Sequence, residues 1–524
     1  MTPGEAYYPL RSDAEAEQVL RRVRDRFASR LQPAKEFVDT YYDTFDWRLY
    51  KDGGTLTTTR TGRHGTLRWT GCDGRLRHRL RRTTMPPFAA DFPAGPLRDD
   101  LRPVVASRRL LPIVRLTCEA VEVQILDDLD KTVATVVREG CVVARPEGDP
   151  GRPLPPALRL VPVRGYGRAA EAVRLLLEEE LGLAQADSDD LARLLAAVDR
   201  TPGDYSAKLD LRLDPQMAAG DALRQIHRRL LAIQVANEAG IRADLDSEFL
   251  HDFRVACRRA RSALGQITGV LPPEAADHHR KALAWLGSVT GPVRDLDVYL
   301  EKMEGYRASL PAAVRPDLAP LEGFLRARHG VEHRRLVEAL ASPRYRALVD
   351  GWERVLQTPP ADPTPSENAA RPVAALATDR TWRAYRRVLK RGRAIGPESP
   401  DAALHRLRIC CKKLRYLMEL FRSLYDPAAI DHLIDLLKQL QDNLGDFNDL
   451  SVQQETLRRL AHEMHETDGA PVETYLAMGR LQALLEERHA AERRRFAEVF
   501  AQFSADEERR LFRRLFKPTG EGSP

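Results

Sequence analysis

The sequence predicts an α+β domain of antiparallel strands followed by an all-α domain built twice. Three observations carry this. Near residue 200 the texture changes from short β-rich runs to long segments with apolar residues at i, i+3 and i+4. A block around His251 recurs around His405 at an offset of 154 residues. A proline-rich stretch, Pro359 to Ser366, separates the two copies.

In the first part, residues 1–200, strands are expected at Thr55–Arg60, Thr66–Thr70, Val121–Leu126 and Thr132–Arg138. Turn signals at Asp52-Gly53-Gly54, Thr61-Gly62-Arg63, Cys72-Asp73-Gly74 and Asp127-Asp128 divide them. Helices are expected at Asp13–Phe27, capped by Ser12, at Arg168–Leu181 and at Ser188–Val198. Several antiparallel strands in series with few helices read as a curved sheet or barrel.

The second part, residues 205–520, divides into 205–357, a linker 358–370, and 371–517. Helices are expected at Ala218–Ala239, Ser247–Thr268, Ala275–Val289 and Asp317–Ala341, then at Thr381–Arg393, Asp401–Leu424, Ile430–Leu444 and Val472–Gln502. About four long helices per copy predict two antiparallel four-helix bundles.

The repeated block carries the chemistry. On a helix at 100° per residue, His251, Arg254, Arg258 and Arg261 fall within an arc of roughly 80°, with Phe253, Ala256, Cys257, Ala260 and Leu264 opposite. The second copy sets His405, Arg408, Lys412 and Arg415 against Leu407, Cys411, Leu414 and Met418. Like charges at these spacings repel by a few tenths of a kcal/mol per pair, and no carboxylate interrupts either set. An anion relieves that strain, and Arg–phosphate hydrogen bonds are among the stronger polar contacts. Asp252, Asp295, Asp297 and Asp449 are the candidate internal partners. A histidine beside a bound anion becomes a cationic donor, so affinity is expected to strengthen as pH falls toward 6.

The remaining composition excludes more than it selects. The 524 residues carry a net charge of only +6, so any basic field comes from clustering and not from the total. No apolar run approaches the roughly 20 residues that span a bilayer, and the first residues lack a signal-peptide layout. The six cysteines show no C-x-x-C pair, which predicts a reducing, cytoplasmic setting without a disulfide framework. His462-Glu463-Met464-His465 is not a zinc motif, and no phosphate-binding glycine loop or nucleophile elbow occurs. Neither a metal nor a cofactor is expected.

The H-x-x-R-x-x-x-[RK]-[RK]-x-R helix in both copies resembles the CHAD family, the conserved-histidine α-helical domains. So do the lead-in Asp204-Tyr205-Ser206-x-Lys208 and the segment Val293-Arg294-Asp295-Leu296-Asp297-Val298. The resemblance implies two pseudo-symmetric four-helix bundles with a basic channel that binds inorganic polyphosphate. It further implies association with cytoplasmic polyphosphate granules and their proteins. Carried over are the eight stripe residues, with Lys208, His227, Arg294, His329, His333, His489 and Arg493 as further channel candidates.

Residues 1–200 resemble a CYTH, or triphosphate-tunnel, domain through Tyr41-Tyr42-Asp43-Thr44, Leu49, Leu56, Arg60, Thr66-Leu67-Arg68 and Leu111–Arg115. The departures are large. The opening E-x-E-x-K reads Glu5-x-Tyr7-x-Pro9, and Leu158–Arg164 holds no acid where a late E-x-E belongs. Tunnel triphosphatases need clustered carboxylates for a divalent metal, so hydrolysis is not expected, although Arg60, Arg68 and Arg115 remain candidate anion binders. The alternatives are a triphosphatase acting on tripolyphosphate or nucleotides, and a nucleic-acid-binding protein. The stripes lack the interleaved aromatics that stack bases, which disfavours nucleic acid.

Overall fold

The computed structural model describes residues 5–71, 75–82, 84–146, 148–186, 190–357, 367–467 and 469–518. The Cys72-Asp73-Gly74 turn and the proline-rich stretch up to Ser366 lie outside them. The chain divides into two compact units, Met1–Ser206 and Ala207–Pro524.

The first unit is an antiparallel sheet of ten strands: β1 (Ala6–Pro9), β2 (Ser29–Leu31), β3 (Lys35–Asp43), β4 (Thr55–Thr61), β5 (His64–Thr70), β6 (Leu76–Arg81), β7 (Leu111–Leu126), β8 (Thr132–Ala144), β9 (Arg152–Pro153) and β10 (Ala157–Pro162). Their order is β1-β10-β8-β7-β3-β4-β5-β6, with β2 on β7 and β9 on β8. The β7–β8 hairpin turns at Asp127, whose carboxylate accepts the Leu129 and Lys131 N–H groups at 2.9 Å each. This local bonding is what makes Asp a turn residue.

Both faces of the sheet are covered. Helix α1 (Asp13–Arg26), capped by Ser12 as expected, packs with α4 (Gly167–Leu175) and a π-helical turn Leu176–Glu180 on Tyr8, Val123, Ile125, Leu158 and Leu160. Short α2 (Arg48–Lys51) and α3 (Pro96–Val105) cover Leu56, Leu67 and Trp69. Helix α5 (Asp190–Ala197) lays Leu191, Leu194 and Leu195 on Tyr41, Leu116, Cys118 and Val143.

One cysteine expectation is corrected here. Cys118 and Cys141 sit opposite each other on β7 and β8 and form a disulfide. Cross-strand neighbours are set by register and not by sequence spacing, so no local motif announces them. Cys257, Cys410 and Cys411 are free.

Among its described residues the second unit holds ten α-helices: α6 (Ala219–Arg242), α7 (Ser247–Gln266), α8 (Pro273–Ser309), α9 (Ala319–Ala341), α10 (Pro343–Gln357), α11 (Val373–Arg393), α12 (Asp401–Leu420), α13 (Pro427–Thr467), α14 (Val472–Phe503) and α15 (Asp506–Phe516). The first three helices of each copy begin 154 residues apart. Each copy has the four long helices expected and, among the described residues, one shorter helix after them. Pro343 reads as a break but occupies the first helical position, where its missing N–H costs nothing. Helix α15 anchors itself by the buried Phe512 and Phe516, with the half-buried Leu511 and Leu515 beside them.

Glycine is required at the end of each leading helix. A Cβ on Gly240 would lie 2.2 Å from the Phe249 ring, and one on Gly392 would lie 2.0 Å from the Phe500 ring. Real Cβ atoms do not come so close, so these glycines admit the aromatic side chains that close the cores.

The long helices are shared between cores. At 1.5 Å per residue, the 37-residue α8 and the 41-residue α13 run to about 55–60 Å. The first part of α13 joins α11, α12, the end of α14 and α15 in one core. The far ends of α8 and α13 instead pack on each other and on the starts of α9 and α14. There Tyr299, Met303, Leu321 and Leu325 of one copy meet Leu457, Leu460, Met478 and Leu481 of the other. The Tyr299 and Tyr306 hydroxyls both donate to Gln453, at 2.7 and 2.8 Å, across this buried seam. The two halves are thus joined through a mixed core.

Candidate functional site

Helices α7 and α12, which carry the two stripes, lie against each other. Arg259 on α7 pairs with Glu419 on α12 at 2.8 Å, and Glu419 also pairs with Arg415 at 3.3 Å. Gln266 donates to the Lys413 carbonyl at 3.2 Å. Arg259 also holds the lead-in segment by donating to the Ala207 carbonyl at 3.3 Å, which brings the exposed Lys208 alongside α7.

The stripes meet at Arg258 and Lys412, one from each copy. Lys412 is half-buried; burial first, then Arg408 and Arg258, push its ammonium down to about 8. It has no carboxylate within ion-pair distance among the described residues, and neither has Arg258, whose buried Nε lacks a hydrogen-bond partner. Two close, desolvated, unpaired cations are costly unless an anion joins them.

Neighbouring stripe residues are held in place by protein. Arg254 donates to the Gly287 carbonyl at 3.2 Å and to the Thr290 hydroxyl at 2.7 Å on α8. Arg408 pairs with Asp449 at 3.1 Å, and His405 Nδ1 lies 2.5 Å from Asn448 Oδ1 on α13. The Nε atoms of Arg254, Arg408 and Arg415 are also buried without partners. Arg261 is exposed near Gly287, and the guanidinium of Arg254 lies near Gly291. The sequence names the basic residues but not the groups that hold them. It missed Thr290, Asn448 and Glu419, which position the stripe and carry no distinguishing motif.

Residues 224–458 match the family model described as CHAD domain. This segment is a CHAD domain. Two proteins of Mycobacterium tuberculosis, strains CDC 1551 / Oshkosh and ATCC 25618 / H37Rv, both described as uncharacterized, are 29% identical over 307 residues. The match covers 57% of this chain and 55% of theirs, so the chain spans about half the length of these curated relatives. Among solved structures, the CHAD domain from the plant Ricinus communis is 27% identical, covering 57% of this chain and 96% of that one, with a TM-score of 0.47. PptA from Streptomyces chartreusis is 20% identical over 54% and 99%, with a TM-score of 0.41. For the antiparallel unit, a candidate adenylate cyclase from Bacillus halodurans is 14% identical over 35% and 92%, with a TM-score of 0.26. The matched CHAD segment lies in the helical unit that follows the antiparallel one.

Not every candidate of the CHAD domain lies at the stripes. His227 is fully buried, edge-on to Trp352, and burial pushes it down to about 3; it is a core residue. It lies one residue past Ile226 on the buried face of α6, where the apolar spacing hides it. His333 Nε2 lies 2.7 Å from the Ile241 carbonyl and closes the end of α6. Arg493 donates to the carbonyls of Gly396, Pro397 and Ser399 and ties down the α11–α12 loop. His489 stacks on Phe447 at 4.2 Å. His329 pairs with Asp297 at 2.9 Å, and that hydrogen bond raises it.

Arg294 does lie by the first stripe, although Glu301 at 3.1 Å already partners it. Burial, then Arg294, pushes His251 down to about 4. The expected gain in affinity toward pH 6 therefore loses its His251 part, since that imidazole stays neutral there and offers a hydrogen bond instead of a charge. Lys412 sets the response instead. Its ammonium is charged below about 8 and discharges above, so affinity for any polyanion held by Lys412 is expected to fall by up to about tenfold per pH unit above 8. Binding isotherms between pH 6.5 and 9.5 check this, and Lys412→Arg flattens the profile; a flat wild-type profile contradicts it.

In the antiparallel unit, Arg68 shares a sheet face with Asp39 and Tyr41, whereas register puts Arg60 and Arg115 on the other face. The three do not converge. Sequence reasoning also missed Asp39 and Glu139, which lie with Tyr7 and Arg159 in a small pocket. The Arg159 guanidinium pairs with Glu139 and is further held charged by Glu5 and Asp39. An internal cation thus neutralises the acids where a metal would need them. Asp43 accepts the Thr44, Leu49 and Tyr50 N–H groups at 2.7 to 2.9 Å and so builds a turn.

Proposed function

We propose that the CHAD domain binds inorganic polyphosphate along the line from His251, Arg254 and Arg258 to Lys412, Arg408 and His405. The observation that carries this is the meeting of Arg258 and Lys412, desolvated and mutually repelling, with no carboxylate within ion-pair distance of either among the described residues; Asp449, the nearest acid acting on Lys412, pairs with Arg408. A linear polyanion supplies many closely spaced charges, so it relieves both stripes at once. The planar arginine fork suits phosphate oxygens, and the neutral His251 adds a donor. On this reading the protein sits on polyphosphate granules, among their other proteins.

The antiparallel unit is read as non-hydrolytic, because Arg159 occupies its carboxylates and α5 covers the neighbouring face. Titration with long-chain polyphosphate and with DNA at equal phosphate concentration, over several salt levels, tests the binding. Polyphosphate is expected to bind at least tenfold tighter, with affinity falling steeply as salt rises. Equal affinity for the two polymers would sink the selective reading. The same preparation, given tripolyphosphate with Mg²⁺, is expected to release no phosphate; turnover would return the triphosphatase alternative.

A further inference from the structure

A second basic surface lies where α11 meets α15, and it shares no residue with the stripes. On α11, Arg386, Lys390 and Arg393 fall within about 60° of one another and are all exposed. On α15, Arg510, Arg513 and Arg514 are exposed as well. None of these six has an acidic partner among the described residues, whereas nearby Arg383 and Arg509 do, in Asp379 and Asp506.

The seam between the helices is fixed by Tyr385, which stacks on Phe512 at 3.8 Å. Tyr385 is 1% exposed, and its hydroxyl has no hydrogen-bond partner. Burial raises that hydroxyl to about 12, while Arg509, Arg393 and Arg513 lie close enough to pull it back. A buried donor left unpaired is costly, and Glu508, itself paired with His432, opposes the three guanidinium groups that act on it here. A phosphate oxygen entering between them would satisfy the hydroxyl and the cations together. No aromatic side chain of α11 or α15 is exposed, so the surface offers nothing on which a nucleobase could stack.

We propose that the α11–α15 seam is a second phosphate-chain surface, so that one CHAD domain bridges two stretches of polyphosphate. This rests on the polyphosphate reading of the stripes and extends it from holding a chain to cross-linking chains.

The test uses the full chain on polyphosphate-coated beads, followed by fluorescent polyphosphate as the second polymer. Wild type is expected to be captured and then to capture the label. The variant R386E/K390E/R393E/R513E is expected to be captured through the stripes but to lose at least tenfold of the second capture. The glutamine version of the same four is expected to lose most of it too, without added repulsion. Circular dichroism should leave both variants folded, since the four side chains are exposed. Undiminished second capture by the variants overturns the proposal, as does wild type that is caught but does not bridge. Second capture of single-stranded DNA in preference to polyphosphate overturns the choice of occupant. Wild type that is not caught at all fails the stripe reading, and this proposal with it.

Discussion

Replacing Arg258 and Lys412 together by glutamate is expected to weaken polyphosphate binding by 100-fold or more, with helicity unchanged. Hydrogen bonds to charged groups contribute about 1.5–3 kcal/mol each, so two of them account for roughly 10²–10⁴ in affinity before the new repulsion is counted. The choice of pair follows from the geometry. Arg254 and Arg408 each have protein partners, which partly compensate their charge or direction. Arg258 and Lys412 have none within the described residues and stand where the two copies meet. Arg493→Gln is the matched control: it should lower stability by releasing the α11–α12 loop, and leave affinity within a factor of two or three. Isothermal titration on the three proteins decides the point, and near-equal losses would put the site elsewhere. Lys412→Met should be more stable than wild type by ~1 kcal/mol, because an uncompensated buried charge is removed.

The second large effect concerns the fold. Leu325→Ala, in the core that mixes the two copies, is expected to cost about 2–5 kcal/mol, since Leu325 is fully buried there. Its diagnostic consequence is cooperativity. If the far ends of α8 and α13 join the halves, the change lowers the unfolding midpoint of both, and the helical unit continues to melt in one step. Two independent bundles would instead give a second transition at the wild-type temperature. Leu460→Ala, from the other copy, should behave alike. Thermal unfolding followed by helicity and by tryptophan emission, with Trp352 in the first copy and Trp382 in the second, distinguishes the two cases.

Much of this was legible in the chain because periodic features report on themselves. The 3.6-residue pattern placed α7 and α12 to within a few residues, and the 154-residue repeat showed that the stripes come in pairs. What the pattern does not contain is which helix lies on which. The pairing of Arg258 with Lys412 depends on the packing of α7 on α12, and the mixed core depends on the lengths of α8 and α13. Both helices run well past the apolar segments expected at Ala275–Val289 and Ile430–Leu444, because Pro292 is tolerated inside α8 and polar turns continue α13 beyond Gly445. Histidines were the weakest inference. The family resemblance made His227 a channel candidate, whereas its place on the buried face of α6 put it in the core. Arg493 showed the same weakness, since its Nη2 is committed to three backbone carbonyls of the α11–α12 loop. The cross-strand disulfide was invisible for the reason that register is invisible.

On the polyphosphate reading, Lys412 is an ammonium held at a desolvation cost until a phosphate chain reaches it. The direct measurement is the protonation midpoint of its Nζ, followed by NMR on lysine-labelled protein and assigned with Lys412→Arg, without and with saturating long-chain polyphosphate. The midpoint is expected at about 8 in the free protein, moving upward by at least one pH unit when the chain is bound, because a neighbouring anion favours the charged form. A midpoint near that of an ordinary lysine in the free protein, or one that does not move on binding, would contradict the account.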